Sequence, residues 1–113
     1  MIDTYAFGKI VVNGVIYTDD IKIISGMVIP HWRRKSGHLL GGGDVEDILE
    51  SPTDILVIGT GAYGMMKLTS TLRAYLENKG IECIEKKTSE AIKIFNRLFE
   101  DGRQVSAGFH LTC

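Results

Sequence analysis

The stretch Asp54-Ile55-Leu56-Val57-Ile58-Gly59-Thr60-Gly61-Ala62-Tyr63-Gly64 runs an apolar strand straight into a G-x-G-x-x-G loop. Between a strand and a helix, such a loop is the context in which glycine-rich backbone holds a phosphate or another anion. Downstream the pattern alternates. A helix is expected from about Tyr63 to Asn78, a strand from Ile81 to Ile84, a helix from about Ser89 to Glu100, and a strand from Gln104 to Leu111. The first helix places Met65, Leu68, Leu72, Tyr75 and Leu76 on one stripe, and Gly80 supplies its stop. In the second, Ala91, Ile94, Phe95, Leu98 and Phe99 face the core between a cap at Thr88 or Ser89 and a terminator at Gly102. Strands joined through helices need crossover connections, so the sheet contains parallel pairs.

Upstream the chain reads as β. A strand is expected from Ala6 to Val12, then a turn at Asn13-Gly14 and a strand from Val15 to Tyr17. Asn-Gly between apolar β-formers is a hairpin signal because both central residues of a type I′ turn need positive φ. Ile21 to Ile24 and Met27 to Ile29 continue the pattern around Ser25-Gly26. A polar, glycine-rich connection runs from Pro30 to Gly43, after which Asp44 caps a short helix that Ser51-Pro52 ends.

A chain of 113 residues is one domain, spanning 1–113. Folding at this length buries roughly 65% of the unfolded surface, enough for one hydrophobic core without metal or disulfide staples. Thirteen basic against fourteen acidic side chains leave a net charge of −1, so no global field draws the molecule to nucleic acid or an anionic membrane. Cys83 and Cys113 lack the spacing of a disulfide framework or a zinc site. With no targeting or membrane-spanning pattern, the expectation is a soluble, cytoplasmic protein.

For a dinucleotide reading, Glu85, with Glu82 as the alternative, sits where an acidic residue would take ribose hydroxyls. Against it, a dinucleotide site needs two βαβαβ halves, and only two helices and three strands follow Pro52. The loop also has a plain structural use: glycines permit positive φ and let a helix pack closely on its sheet. The balance favours that use, although amides at a helix start would still attract a small anion.

The segment His31-Trp32-Arg33-Arg34-Lys35-Ser36-Gly37-His38 is the one local concentration of positive charge and holds the only tryptophan. Two readings stand side by side. One is a recognition loop for an anionic ligand or a protein partner, built on arginine forks and a tryptophan anchor. The other is a solvated strand end whose tryptophan caps the core. Nucleic acid is not expected, because no second basic stripe or aromatic platform accompanies the segment. His31, His38 and His110 with Cys113 make a poor metal set, since residues three apart in a strand point to opposite faces.

Several segments together carry a family resemblance: Trp32 to His38, Asp54 to Gly64, Thr88-Ser89-Glu90-Ala91, and the ending Phe109-His110-Leu111-Thr112-Cys113. In that order, almost end to end, the chain resembles the Mth938-like family and reads as its archaeal prototype. The family includes a mitochondrial complex I assembly factor and an adipogenesis-associated protein. The resemblance implies an α/β fold of three layers, a central mixed sheet with helices on one side and an N-terminal β layer on the other. It implies no catalytic set and no cofactor.

The functional expectation is a non-catalytic binding or assembly-type domain. Its surface for a protein partner or small anion comprises Trp32, Arg33, Arg34, Lys35 and His38 with Gly59, Thr60, Gly61, Tyr63 and Gly64. The alternative is a small nucleotide- or phosphate-dependent enzyme with Gly59, Gly61 and Gly64 as the cradle and Glu85 at the ribose. The first reading requires the basic segment and the glycine loop to border one hollow.

Overall fold

Asn13 and Gly14 take φ of 49° and 80°, and the type I′ turn they form pairs β2 (Lys9–Val12) with β3 (Val15–Tyr17). The expected strand from Ala6 to Val12 is broken at Phe7-Gly8, so β1 (Ile2–Ala6) and β2 form a second hairpin. A computed structural model describes all residues 1–113. This antiparallel sheet runs β1-β2-β3, and its β1 edge is closed by Asn96, whose side-chain amide bonds both the N–H and the C=O of Ile2 at 2.9 Å.

The central sheet is mixed. Its order is β5 (Met27–Ile29), β4 (Ile21–Ile24), β10 (Val105–His110), β7 (Ile55–Thr60), β9 (Glu82–Lys86). The pairs β10/β7 and β7/β9 are parallel and the other two antiparallel. Every residue of β7 and β10 is buried, as strands covered on both faces must be.

Side-chain alternation along β7 divides the core in two. Ile55 and Val57 join Phe95 and Ala91 of α3 (Thr88–Glu100) and Ile2, Ile10 and Val12 of the N-terminal sheet. Leu56 and Ile58 join Leu72 and Leu76 of α2 (Ser70–Asn78), Ile48 of α1 (Glu46–Leu49) and Trp32. The three layers and mixed sheet are as the resemblance implies, and α1 and α2 lie opposite the N-terminal β layer. The helix α3 shares that β layer's face. Chirality accounts for this: β7 to β9 crosses one way along the sheet and β9 to β10 crosses back over β7. Two right-handed crossovers in opposite directions put their helices on opposite faces.

The helix expected from Tyr63 begins only at Ser70, after the N-cap Thr69, whose hydroxyl accepts the Leu72 N–H at 3.1 Å. The residues between form a tight loop and the two-residue strand β8 (Lys67–Leu68), paired in parallel with β6 (Leu39–Leu40). The apolar spacing of Met65, Leu68 and Leu72 therefore spans three different structures rather than one helix. Asp44 also departs from its expected cap role. It lies within a 3-10 turn, Gly42–Val45, and its carboxylate accepts the N–H groups of Gly41 and Lys35.

Candidate functional site

The glycine loop is a packing device before it is anything else. A side chain at Gly59 would meet Phe109 at 2.8 Å and the Thr88 hydroxyl at 2.9 Å, so its absence seats α3 on the sheet. Gly61 has φ of +106°, and a side chain there would overlap the Cys113 carbonyl carbon. Most of the loop amides are already committed. Gly61 N–H donates to Thr88 Oγ1, Ala62 to the Thr112 carbonyl, Met65 to the Cys113 carbonyl and Met66 to the Thr60 carbonyl, at 2.6–3.1 Å. The loop does not open a helix, so the amide cradle and dipole that give G-x-G-x-x-G its affinity for pyrophosphate are missing. Glu85, the expected ribose acceptor, is held in a two-contact ion pair by Arg73.

The basic segment is likewise built into the fold. Trp32 is 6% exposed; its ring lies on Gly108, where a side chain would come within 2.7 Å, and its indole N–H donates to the Asp44 carbonyl at 2.9 Å. The Arg34 side chain, 5% exposed, stacks its guanidinium 4.8 Å from the Trp32 ring centre. Arg34 Nη1 lies 2.8 Å from Asp20 Oδ2, and the same oxygen is 2.8 Å from His110 Nδ1. Asp20 Oδ1 accepts the Leu111 N–H, so one carboxylate ties the segment to the end of β10. Of the three consecutive cations, one is thus internally neutralised, while Arg33 and Lys35 remain exposed without a carboxylate partner. His38 is exposed with its ring 5.9 Å from that of His110. His31 pairs with Asp19, and no three His, Cys, Asp or Glu side chains gather at metal-binding spacing.

The two motifs border different cavities. One of about 300 Å³ is lined by Asp19, Asp20, Trp32, Arg33 and Arg34, whose charges cancel. The other, about 690 Å³ and open, is lined by Thr60, Tyr63 and Gly64 from the loop together with Lys67, Lys86 and Lys87. The single hollow expected to join them is replaced by these two.

The larger cleft lies where the fold predisposes a ligand site. The chain leaves β7 toward the α2 face and leaves β9 toward the α3 face, so their carboxyl ends part to form a crevice at a topological switch point. Lys67, Lys86 and Lys87 surround it, and none has a carboxylate within 4.0 Å. Gly64, at φ +69°, forms part of the floor, and the Lys87 stem crosses it 3.4 Å from where a side chain would begin. The Thr60 hydroxyl donates to the Lys86 carbonyl at 3.1 Å and fixes the two walls together. Two carboxylates also line the cleft: Glu85, paired with Arg73, and Glu90, which has no ion pair. Sequence reasoning missed the lysines because Lys67 lies far along the chain from Lys86-Lys87; only that dipeptide after a strand was a visible signal.

Nucleophile chemistry finds little support in the Cys83 thiol. Burial, reinforced by the Glu85 charge, pushes the Cys83 thiol up to about 12, far from the range of a reactive thiolate. No helix is long and apolar enough to cross a membrane.

Comparison with known proteins gives a consistent picture. The profile of a family described as "Protein of unknown function (DUF498/DUF598)" matches residues 2–110. The conserved hypothetical protein PH1505 from Pyrococcus horikoshii OT3 is similar at 30% identity and a TM-score of 0.85, covering 100% of this chain and 99% of that one. The protein MT938 is similar at 30% identity and a TM-score of 0.81, with 100% and 98% covered. At that identity the chain is a relative of the prototype rather than the prototype itself. A Bordetella pertussis protein described as a Mth938-like domain shares the fold at 19% identity and a TM-score of 0.71, with 97% and 84% covered.

Proposed function

We propose, for a chain that belongs to the DUF498/DUF598 family of proteins of unknown function, a non-catalytic binding domain that takes an anionic group in the cleft between β7 and β9. Lys67, Lys86 and Lys87 supply the attraction, and Thr60, Tyr63 and Gly64 supply the floor and one wall. The observation that carries this reading is the convergence of three lysines without ion-pair partners on the switch-point crevice. Because most of the loop amides, and those of Thr88 and Glu90 at the start of α3, are bonded within the protein, the anion is held chiefly by flexible side chains rather than a rigid backbone cradle. Such binding is screened by salt and tolerant of ligand shape. That character suits recognition of a charged group better than the positioning of a reacting one.

Calorimetric titration with inorganic pyrophosphate at low ionic strength tests the reading. Wild type binds, the double variant Lys86→Glu/Lys87→Glu does not, and Arg33→Glu, on the other cavity, binds as wild type. A ligand at 100 times its dissociation constant adds about 2.7 kcal/mol to stability, so thermal unfolding gives a second readout. Absence of binding by wild type, or equal binding by the lysine double variant, overturns the assignment. Loss of binding in Arg33→Glu alone moves the site to the basic segment.

A further inference from the structure

Beside the lysine cleft lies an apolar surface that a free inorganic anion leaves uncovered. Tyr63 lines the cleft and is 66% exposed, and its ring lies 6.1 Å, tilted 45°, from that of Phe7, itself 57% exposed. Met65, two residues along the loop, is 52% exposed. Two aromatic rings packed on each other and open to water, next to three unpaired lysines, form one amphipathic surface. The other strongly exposed apolar side chains, such as Ile16 on β3 and Met27 on β5, sit on edge strands and line no cationic cleft.

Building on the anion-binding reading, we infer that the occupant is an acidic polypeptide segment of a partner protein, with an aromatic or leucine side chain beside its carboxylates. Carboxylates of the segment meet Lys67, Lys86 and Lys87, while the apolar side chain covers Tyr63 and Phe7, an anchor-and-rim division common at protein interfaces. Charge complementarity selects the acidic partner: the two lining carboxylates are Glu85, already neutralised by Arg73, and Glu90, so the cleft carries a net positive surplus. A cleft of about 690 Å³ has room for several side chains, more than a phosphate needs. The two glutamates that line the cleft beside its lysines disfavour a uniformly anionic bilayer.

Panning a phage-displayed library of random peptides on the immobilised full chain tests the inference. Selected peptides combine Asp or Glu with Phe, Tyr, Trp or Leu. They bind wild type about tenfold or more tightly than they bind either Phe7→Ser/Tyr63→Ser or Lys86→Glu/Lys87→Glu. Peptides that are acidic without an apolar anchor, or whose affinity is unchanged in Phe7→Ser/Tyr63→Ser, overturn this inference but leave pyrophosphate binding and the anion reading intact. Failure of both the library and pyrophosphate overturns the two together. Co-sedimentation with phosphatidylserine vesicles that requires Phe7 and Tyr63, with no peptide selected, assigns the surface to a membrane and also overturns it.

Discussion

The basic segment at Trp32 to Lys35 and the lysine cleft at Lys67, Lys86 and Lys87 carry similar charge in the sequence and opposite duties in the fold. In the first, a guanidinium is drawn inward, stacked on tryptophan and balanced by Asp20. In the second, three ammonium groups stay exposed around a crevice with no acid within reach of an ion pair. Charge density along a chain is therefore a poor guide to binding. What distinguishes the regions is whether the fold supplies the counter-charge.

Removing Arg34 breaks this comparison most severely. Arg34→Ala leaves Asp20, 15% exposed, without its main counter-charge and uncovers the Trp32 ring. A loss of about 3 kcal/mol follows, measured by urea unfolding. The neighbouring Arg33→Ala stays within about 0.5 kcal/mol of wild type. Equal effects at the two positions would mean that the buried pair is energetically idle. Next in size is Gly108→Ala, where the new methyl would press on the Trp32 ring 2.7 Å away. The cost is about 1–3 kcal/mol, with a change in tryptophan emission as the ring moves. Lys86→Glu/Lys87→Glu, by contrast, changes stability by less than about 0.5 kcal/mol while abolishing anion binding. A large loss of stability there would place the lysines in the same structural class as Arg34.

The remaining effect, confined to strongly alkaline solution, is on pH-dependent stability. The folded Cys83 thiol titrates at about 12 against an unfolded value of 9.0, so between those values the unfolded chain binds fewer protons. Stability falls as pH rises above about 9, because ∂ΔG/∂pH is negative wherever the folded state holds the extra proton. Tyr5, raised chiefly by burial and hydrogen bonded to the Leu111 carbonyl, adds to the loss in the same direction. Melting temperatures of Cys83→Ala should decline less steeply above pH 9 than those of wild type.

Much of the fold was legible in the chain. Asn13-Gly14 announced its turn, and the stripe from Ala91 to Phe95 announced α3 because helical period and stop agreed there, although the N-cap is Lys87 rather than the expected Thr88 or Ser89 and Phe99, placed on the core face, is exposed. The α2 start was misread because Gly61 and Gly64 serve a loop packed against Thr112 and Cys113, a contact invisible to local periodicity. Tyr75, placed on the apolar stripe, is 42% exposed, since the buried face of α2 is limited to Leu72 and Leu76. The candidate site was legible only in part. Thr60, Tyr63 and Gly64 were named from the motif, but Lys67 and Lys86-Lys87 become neighbours through the strand order β10-β7-β9, which no local pattern specifies.

The opposite departures of the chain from β7 and β9 give the cleft a mechanical property. Its walls belong to segments that go on to separate helical layers, one with α2 and one with α3. Any occupant gripped by both Lys67 and Lys87 acts as a cross-tie between those layers, so its arrival would register as slowed amide exchange on both sides of the sheet at once.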